Sequence, residues 1–218
     1  MYNLTTLYII SMEVFLTLAL LKVLSLSEAQ EKSPLKALLI FGVWLISVIG
    51  LFGLTQILPS SITSLELFSI ILLGVISSGA FFYLLKEQFL GLSQELLLLP
   101  QAFRMFFGAG FIIEAVYGII PATYGVVDGI LHITTAFLAL CLAVYVARGC
   151  PCKKSLILVN LFGLLDIVIV AGGISFLILA EIGSHHNVFL AVFYAAPIFI
   201  WLHLISLYKI FTEKENQS

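Results

Sequence analysis

The sequence carries very little charge. Asp, Glu, Lys and Arg make up 10% of its 218 residues, whereas soluble domains carry about 25%. Apolar residues make up 61% of the chain and the mean hydropathy is +1.17. A soluble core of this size does not need so much apolar surface, so the composition predicts an integral membrane protein whose first partner is the lipid bilayer.

The sequence also lacks a basic stripe and the common metal motifs. The formal net charge is −2 and the ten basic residues are scattered, which excludes nucleic acid as a partner. Two of the three cysteines, Cys150 and Cys152, form "CPC" in a loop with no further zinc ligands, and a structural zinc site needs four. Neither HxxxH nor HExxH occurs. Zinc-finger and zincin-type functions are therefore excluded.

Long apolar runs are abundant. Runs able to cross ~30 Å of hydrocarbon occur seven times, and short segments rich in Pro, Gly and Ser separate them. The sequence therefore predicts an all-α fold, with residues 1–218 forming a single-domain bundle of seven transmembrane helices. We predict these helices at roughly 4–26, 36–58, 65–85, 99–120, 125–147, 155–180 and 187–211.

The distribution of positive charge predicts the orientation. Loops that follow odd-numbered helices share one side of the membrane, and all ten Lys and Arg residues fall at that side. They are Lys22, Lys32, Lys36, Lys86, Arg104, Arg148, Lys153, Lys154, Lys209 and Lys214. Arg104 belongs to this set because it begins the predicted fourth helix. The positive-inside rule then places the N-terminus outside and the C-terminus in the cytoplasm.

Four ionisable residues are predicted in the outer half of the bundle. Glu114 and His132 lie equally far from the "PATYG" turn, roughly 10 Å inside the boundary. Asp128 and His132 are four residues apart and share a helix face, and Glu13 lies at a comparable depth. Because a charge in hydrocarbon is costly, these residues should face one another in an interior ring of acids and imidazole.

A second polar set is predicted deeper in the bundle. Asp166 lies near the midplane, and Asn160, Arg104 and His203 lie toward the cytoplasmic side. We expect Asp166 to face the interior, with Asn160, His203, Arg104 or water as its partner. Gly163, one turn earlier, would let a neighbouring helix approach. We expect Asp166→Leu to abolish activity while leaving expression.

Proline in the last span predicts a local irregularity. Pro197 lacks the N–H that would bond the carbonyl of Phe193, so this carbonyl is free and the helix is expected to kink.

Several segments of the second half resemble a known group of proteins. They are "FRMFFGAGFIIEAVYGIIPATYGVVDGILHITTAF", "NLFGLLDIVIVAGG" and "APIFIWLHLISLYKI". Over residues 101–211 they resemble an uncharacterised family of bacterial multi-pass membrane proteins, at Arg104, Pro121, Asp128, Asn160, Gly163, Asp166, Pro197 and His203. His132 departs from the pattern, which has a small residue there. The resemblance implies the cytoplasmic membrane of a bacterium and no particular activity.

Three functions stay open. The favoured one is proton-linked transport or binding of a small solute or ion, because ionisable groups occur at several depths. The second is an intramembrane metal-dependent or acid/base enzyme, with Glu114, Asp128 and His132 as ligands of a divalent metal. The third is a non-catalytic accessory or assembly role. Ceramidase-type hydrolases need paired histidines in the last helix and retinal proteins need a mid-span lysine, and this chain has neither.

Overall fold

The computed structural model describes residues 2–29, 33–150 and 153–212, and every regular element in these ranges is helical. Seven helices are long and apolar enough to cross a membrane, which confirms the all-α class and the predicted count. They are α1 (Leu4–Ser25), α2 (Pro34–Leu54), α3 (Ser64–Leu84), α4 (Gln94–Val116), α5 (Ala122–Ala147), α6 (Lys153–Ile182) and α7 (Val188–Thr212). The predicted loop residues Lys32, Cys152 and Lys214 lie outside the described ranges.

Local sequence explains where two of the helices begin. Ser33 caps α2 by accepting the backbone N–H of Lys36, and Pro34 occupies the first turn, where its missing N–H costs nothing. Thr63 and Glu66 form a capping box at the start of α3, since each side chain accepts the other residue's backbone N–H.

The start of α4 differs from the prediction. The helix begins at Gln94, not near residue 99, and passes through Pro100 as a 3-10 turn at Leu99–Phe103. A short helix, Lys86–Leu90, precedes it. The placement of Arg104 at the cytoplasmic end of the helix is therefore wrong. Arg104 lies near the middle of α4 and is completely buried, so it does not belong with the flanking charges.

The last helix lies at the centre of the bundle. It is the most buried of the seven spans, whereas α2 and α3 are the least buried. Regular helix stops at Phe193 and resumes at Ala195. The Phe193 carbonyl lies one turn before Pro197, which has no N–H to donate to it. The indole N–H of Trp44 on α2 donates to that Phe193 carbonyl at 3.1 Å. The predicted free carbonyl is thus satisfied by a neighbouring helix.

Helices α4 and α5 approach closely at glycines. A Cβ added at Gly108 would come within 2.5 Å of the Gly129 carbonyl oxygen, so neither position has room for a side chain. This close packing brings the buried side chains of α4 next to those of α5 and α6.

Candidate functional site

The centre of the site is the Asp166 carboxylate on α6. One oxygen accepts from the Arg104 guanidinium at 2.5 Å and from the Thr135 hydroxyl at 2.8 Å. The Nδ1 atom of His132 lies 3.0 Å from both oxygens. All four residues are buried. Arg104 was among the partners expected for Asp166, whereas His132 was expected in the outer ring of acids.

Spacing along α5 and α6 explains this convergence. His132 and Thr135 are three residues apart, so both side chains project from one face of α5. Gly163 lies one turn before Asp166, and its carbonyl accepts from the Arg104 guanidinium at 3.0 Å. A Cβ at Gly163 would overlap the imidazole of His203. Glycine is therefore required for α7 to approach α6 beside the carboxylate.

His203 and Asn160 are not direct partners of Asp166. The Nδ1 atom of His203 lies 2.8 Å from the Asn160 amide oxygen, so Nδ1 carries the proton and Nε2 is the acceptor. Nε2 faces the Arg104 guanidinium at 3.2 Å. These two residues are therefore connected to Asp166 through Arg104 and do not bond to the carboxylate themselves.

The hydrogen bonds continue toward the start of α4. The Asn160 amide donates to the Ser206 hydroxyl at 2.8 Å, and this hydroxyl donates to the Gln94 side-chain oxygen at 2.6 Å. Arginine and amide groups do not exchange protons readily, because a guanidinium only donates and stays charged. This part of the network consequently holds the helices together and is not a proton wire.

Asp128 has a different environment from Asp166. It is 2% exposed, and neither of its carboxylate oxygens has a hydrogen-bond partner among the described residues. The neighbouring Tyr124 hydroxyl lies close enough to interact with the carboxylate and donates to the Val170 carbonyl at 3.1 Å. Asp128, His132 and Asp166 each offer a ligand atom, and these atoms all lie within 4.8 Å of one another. We call these three residues the acid–imidazole group.

Asp128 lines a groove of about 400 Å³ between α5 and α6. Tyr124, Gly173 and the exposed Glu181 also line it. On the other side of the group, His132 lines a cavity of about 30 Å³ together with phenylalanines of α4 and α7. That volume is sufficient for one water molecule. Asp128 thus borders the groove with its carboxylate oxygens buried, and the cavity beside His132 has space for one water-sized species.

Glu114 does not join the predicted ring. Its Oε1 accepts from the Asn187 amide at 2.8 Å, and the same amide donates to Thr5 at 2.8 Å. Glu114 lies beside a second groove of about 400 Å³, between α1 and α4. The predicted metal set of Glu114, Asp128 and His132 is therefore corrected: Asp166 takes the place of Glu114, because α4 is rotated so that its acid faces α1.

His186 lies opposite Glu114, in the loop between α6 and α7. Its Nε2 is 3.9 Å from Glu114 Oε2, and its Nδ1 accepts the backbone N–H of Val188 at 3.1 Å. Burial lowers the pKa of His186 from 6.5 to about 4. The histidine is consequently neutral at ordinary pH, with its proton on Nε2. It packs inside the loop that covers this end of the bundle.

Glu13 is separate from both sets. It is completely buried on α1, and neither carboxyl oxygen has a hydrogen-bond partner among the described residues. Its neighbour is the Tyr194 hydroxyl at the break in α7, which is 2.5 Å from the Thr17 hydroxyl. The four residues expected to form one interior ring therefore lie in three separate places. Asp128 lies with His132, Glu114 lies near Asn187, and Glu13 lies near Tyr194.

Sequence reasoning missed several polar residues of these networks. Gln94, Ser206 and Asn187 each complete a hydrogen bond described above. Ser206 lies three residues after His203, so its position on the same face of α7 was a usable signal. Gln94 was predicted in a loop and Asn187 at the first position of the last helix, and nothing in their local sequence indicates the buried contact.

One family model matches the chain. It is described as Domain of unknown function (DUF8737) and covers residues 61–211, which is more than half of the sequence. The match includes all the residues of the acid–imidazole group. No curated protein and no solved structure matches the chain.

Proposed function

The chain belongs to the DUF8737 family, and from the geometry of its site we propose that it binds a small cation in exchange for protons and carries it across the membrane. The acid–imidazole group is the binding site. The observation that carries the proposal is the Asp128 carboxylate, which is buried beside His132 without a hydrogen-bond partner among the described residues and lines an open groove.

The charges of the site support a positively charged ligand. Asp128 and Asp166 supply two negative charges, and Arg104 supplies one positive charge. With neutral His132 the site keeps one negative charge, which is expensive in a low-dielectric interior. A proton on the site balances that charge, and so does a cation entering from the groove. Because both cannot be accommodated without excess positive charge, proton and cation binding compete, and this competition is the basis of coupled exchange.

Irregular helices support movement around the site. Segment Ile174–Ile178 of α6, next to the groove, is a π-helix, and α7 is interrupted at Tyr194. Interrupted helices that line a mid-membrane site are characteristic of secondary transporters. We propose that these two places let the site open alternately toward either side.

The proposed orientation places the groove on the outer side of the membrane. With the N-terminus outside, α5 begins at the outer surface, so Asp128, in the second turn, faces the outer half of the bilayer. The basic helix ends then face the cytoplasm of a bacterium. Cations would enter from the outside along the groove, and protons would leave by the same route.

Flux through liposomes tests the proposal. Purified protein is reconstituted with an internal pH-sensitive dye, and a panel of monovalent, divalent and small organic cations is applied outside. We expect at least one cation to move protons outward in the wild type. Asp128→Asn should reduce this flux at least about tenfold, because it removes the unbalanced charge that holds the ligand.

Glu87→Gln is the matched control. Glu87 is an exposed carboxylate that lies 3.7 Å from Lys86, so its loss removes the same charge away from the site. It should leave flux unchanged. Absence of proton or solute movement in the wild type under every gradient would eliminate transport, and equal flux in Asp128→Asn would eliminate this site.

A metal-dependent enzyme is the second candidate, because the three ligand atoms of the acid–imidazole group lie within 4.8 Å of one another. One nitrogen and two carboxylates suit zinc, iron or manganese. Here Asp128, His132 and Asp166 would hold the ion and the groove would admit substrate. Elemental analysis of purified protein separates the two functions: about one atom per chain, lost in His132→Gln, favours the enzyme.

A further inference from the structure

Glu13 has no charge partner among the described residues of the bundle. It lies in the middle of α1 with 0% exposure, and neither carboxyl oxygen accepts or donates a hydrogen bond among the described residues. It is not among the residues lining the grooves and the cavity around His132. An ionised carboxylate in this position would be charged, dry and uncompensated, which is among the costliest states for a buried group.

The cations of the neighbouring helices are engaged elsewhere. On α4, Arg104 contacts Asp166, the Gly163 carbonyl and His203. On α2, Lys36 donates to the Leu84 carbonyl near the end of α3. Of the two acids of α4, Glu95 lies in the first turn, and Glu114 bonds to Asn187 and would only repel a carboxylate.

Helix α7 presents a tyrosine to Glu13. The Tyr194 hydroxyl lies close enough to interact with the carboxyl group and is 2.5 Å from the Thr17 hydroxyl. Thr17 donates to the Glu13 backbone carbonyl at 2.7 Å and Tyr194 donates to the Phe41 carbonyl at 3.3 Å, so both hydroxyls have backbone acceptors. Tyr194 is also the residue at which α7 is interrupted.

We propose that Glu13 is a proton-binding site that controls the break in α7: it is protonated while the bundle is closed, and it releases its proton when α7 opens at Tyr194. A proton is the cation that fits, because Ca²⁺ and Mg²⁺ take about six oxygen ligands and Zn²⁺ takes about four ligands, whereas Glu13 offers a single carboxyl group. Here the two nearby hydroxyls already bond to each other and to backbone. Release requires water to reach the carboxylate, and the irregular backbone at Tyr194 is the adjacent place where packing can separate.

The proposal does not depend on transport at the acid–imidazole group. Glu13 and that group lie on different helices and share no hydrogen bond in the described ranges. A closed state that binds a proton more tightly than an open state is favoured as pH falls, by linkage alone. Failure of the flux experiment would leave this prediction intact, and the reverse also holds.

Infrared difference spectroscopy tests the protonation. The spectrum of the wild type minus Glu13→Gln, at neutral pH in liposomes, should contain the C=O stretch of one protonated carboxylic acid. Glu87→Gln, which removes an exposed carboxylate, should lose only carboxylate bands. If Glu13→Gln also loses only carboxylate bands, Glu13 is ionised and the proposal is wrong. Glu13→Asp gives the same information by shifting the acid band, should the glutamine form fail to fold.

Amide hydrogen exchange tests the link to α7. The amides of Tyr194 and Ile198 bond to the Leu190 and Tyr194 carbonyls at 3.1 and 3.5 Å. After correction for intrinsic chemistry, their exchange in the wild type should accelerate at high pH, by up to about tenfold per pH unit for a one-proton step. Glu13→Gln cannot release a proton, so its corrected exchange should be independent of pH. Equal pH dependence in both proteins would overturn the link.

Discussion

At the scale of single residues, the buried acids belong to two kinds. Asp166 has Arg104, His132 and Thr135 as partners, whereas Asp128 and Glu13 have no hydrogen-bond partner in the described ranges. A carboxylate with three donors is stable as an anion and holds helices together. A carboxyl group without donors is stable only with a proton or another cation. The second kind is therefore where ligand chemistry belongs.

Asp166→Leu tests the structural role of the ion pair. The substitution leaves the Arg104 guanidinium buried without its carboxylate, so we expect destabilisation of about 3–5 kcal/mol, measured by thermal unfolding in detergent. The loss is therefore not confined to activity, and normal expression of Asp166→Leu is expected only if the bundle tolerates this destabilisation. Arg104→Met in the same chain removes the orphaned charge and should recover much of the stability.

The converse result would be informative. If the double variant is no more stable than Asp166→Leu alone, then the guanidinium stabilises the bundle mainly through the Gly163 carbonyl and His203, and the ion pair contributes little.

The burial of His186 predicts that acid lowers the stability of the folded chain at the loop between α6 and α7. Its pKa is about 4 in the folded chain, because burial disfavours the imidazolium, against 6.5 when exposed. Between these values the unfolded chain binds the proton and the folded chain does not. Stability should therefore decrease as pH falls from about 6.5 to about 4, by up to about 3 kcal/mol, and then level off.

The matched pair for this prediction is His186→Asn and His185→Asn. Asparagine at 186 keeps a side-chain acceptor for the Val188 N–H but does not titrate, so the variant should lose most of the pH dependence of its melting temperature. His185 is exposed, and its replacement should leave the wild-type dependence in place. Identical pH profiles for the wild type and His186→Asn would contradict the assignment.

At the scale of helices, the approach of α7 to α6 positions the network. It is made possible by Gly163, where an added Cβ would overlap the His203 imidazole. We expect Gly163→Ala to displace His203, break its bonds to Asn160 and Arg104, and lower stability by about 2–4 kcal/mol. Thermal unfolding measures the loss.

Gly172→Ala is the control on the same helix. A Cβ at Gly172 meets nothing within 4 Å, so alanine should be neutral or slightly stabilising through its higher helix propensity. Similar melting temperatures for the two alanine variants would mean that α6 and α7 can separate without cost.

The break in α7 combines a sequence feature with a tertiary one. Pro197 leaves the Phe193 carbonyl without its helical donor, and Trp44 supplies one from α2. The proline was enough to predict the free carbonyl. It did not indicate which neighbour would bond to it, because that depends on how α2 is rotated against α7.

At the scale of the whole molecule, the sequence predicted the helical class, the seven apolar spans and many of the buried polar residues. These follow from composition and from the cost of polar groups in hydrocarbon. The grouping of these residues was not predicted: Glu114 and His132 lie at similar distances from their turn, yet Glu114 faces α1 while His132 faces Asp166. Counting residues gives height along a helix and does not give its rotation.

The error at Arg104 has a related cause. Helix α4 was expected to begin near Pro100, since proline favours a first turn, whereas it begins at Gln94 and continues through a 3-10 turn. The difference moves the guanidinium from a flanking position to the interior. Arg104 then becomes the counter-ion of Asp166, and the orientation depends on the other nine basic residues.

Orientation is the last prediction, and without Arg104 it rests on the other basic residues. Lys36 donates to the Leu84 carbonyl, Lys153 to the Ile210 carbonyl and Lys209 to the Leu92 carbonyl, so these basic residues lie together at one end of the bundle. With this end in the cytoplasm, the exposed Cys150 should react with a membrane-impermeant maleimide only after cells are opened. Cysteine at His185, in a background without the native cysteines, should react in intact cells. The opposite labelling would reverse the groove's side and, with it, the direction proposed for cation entry.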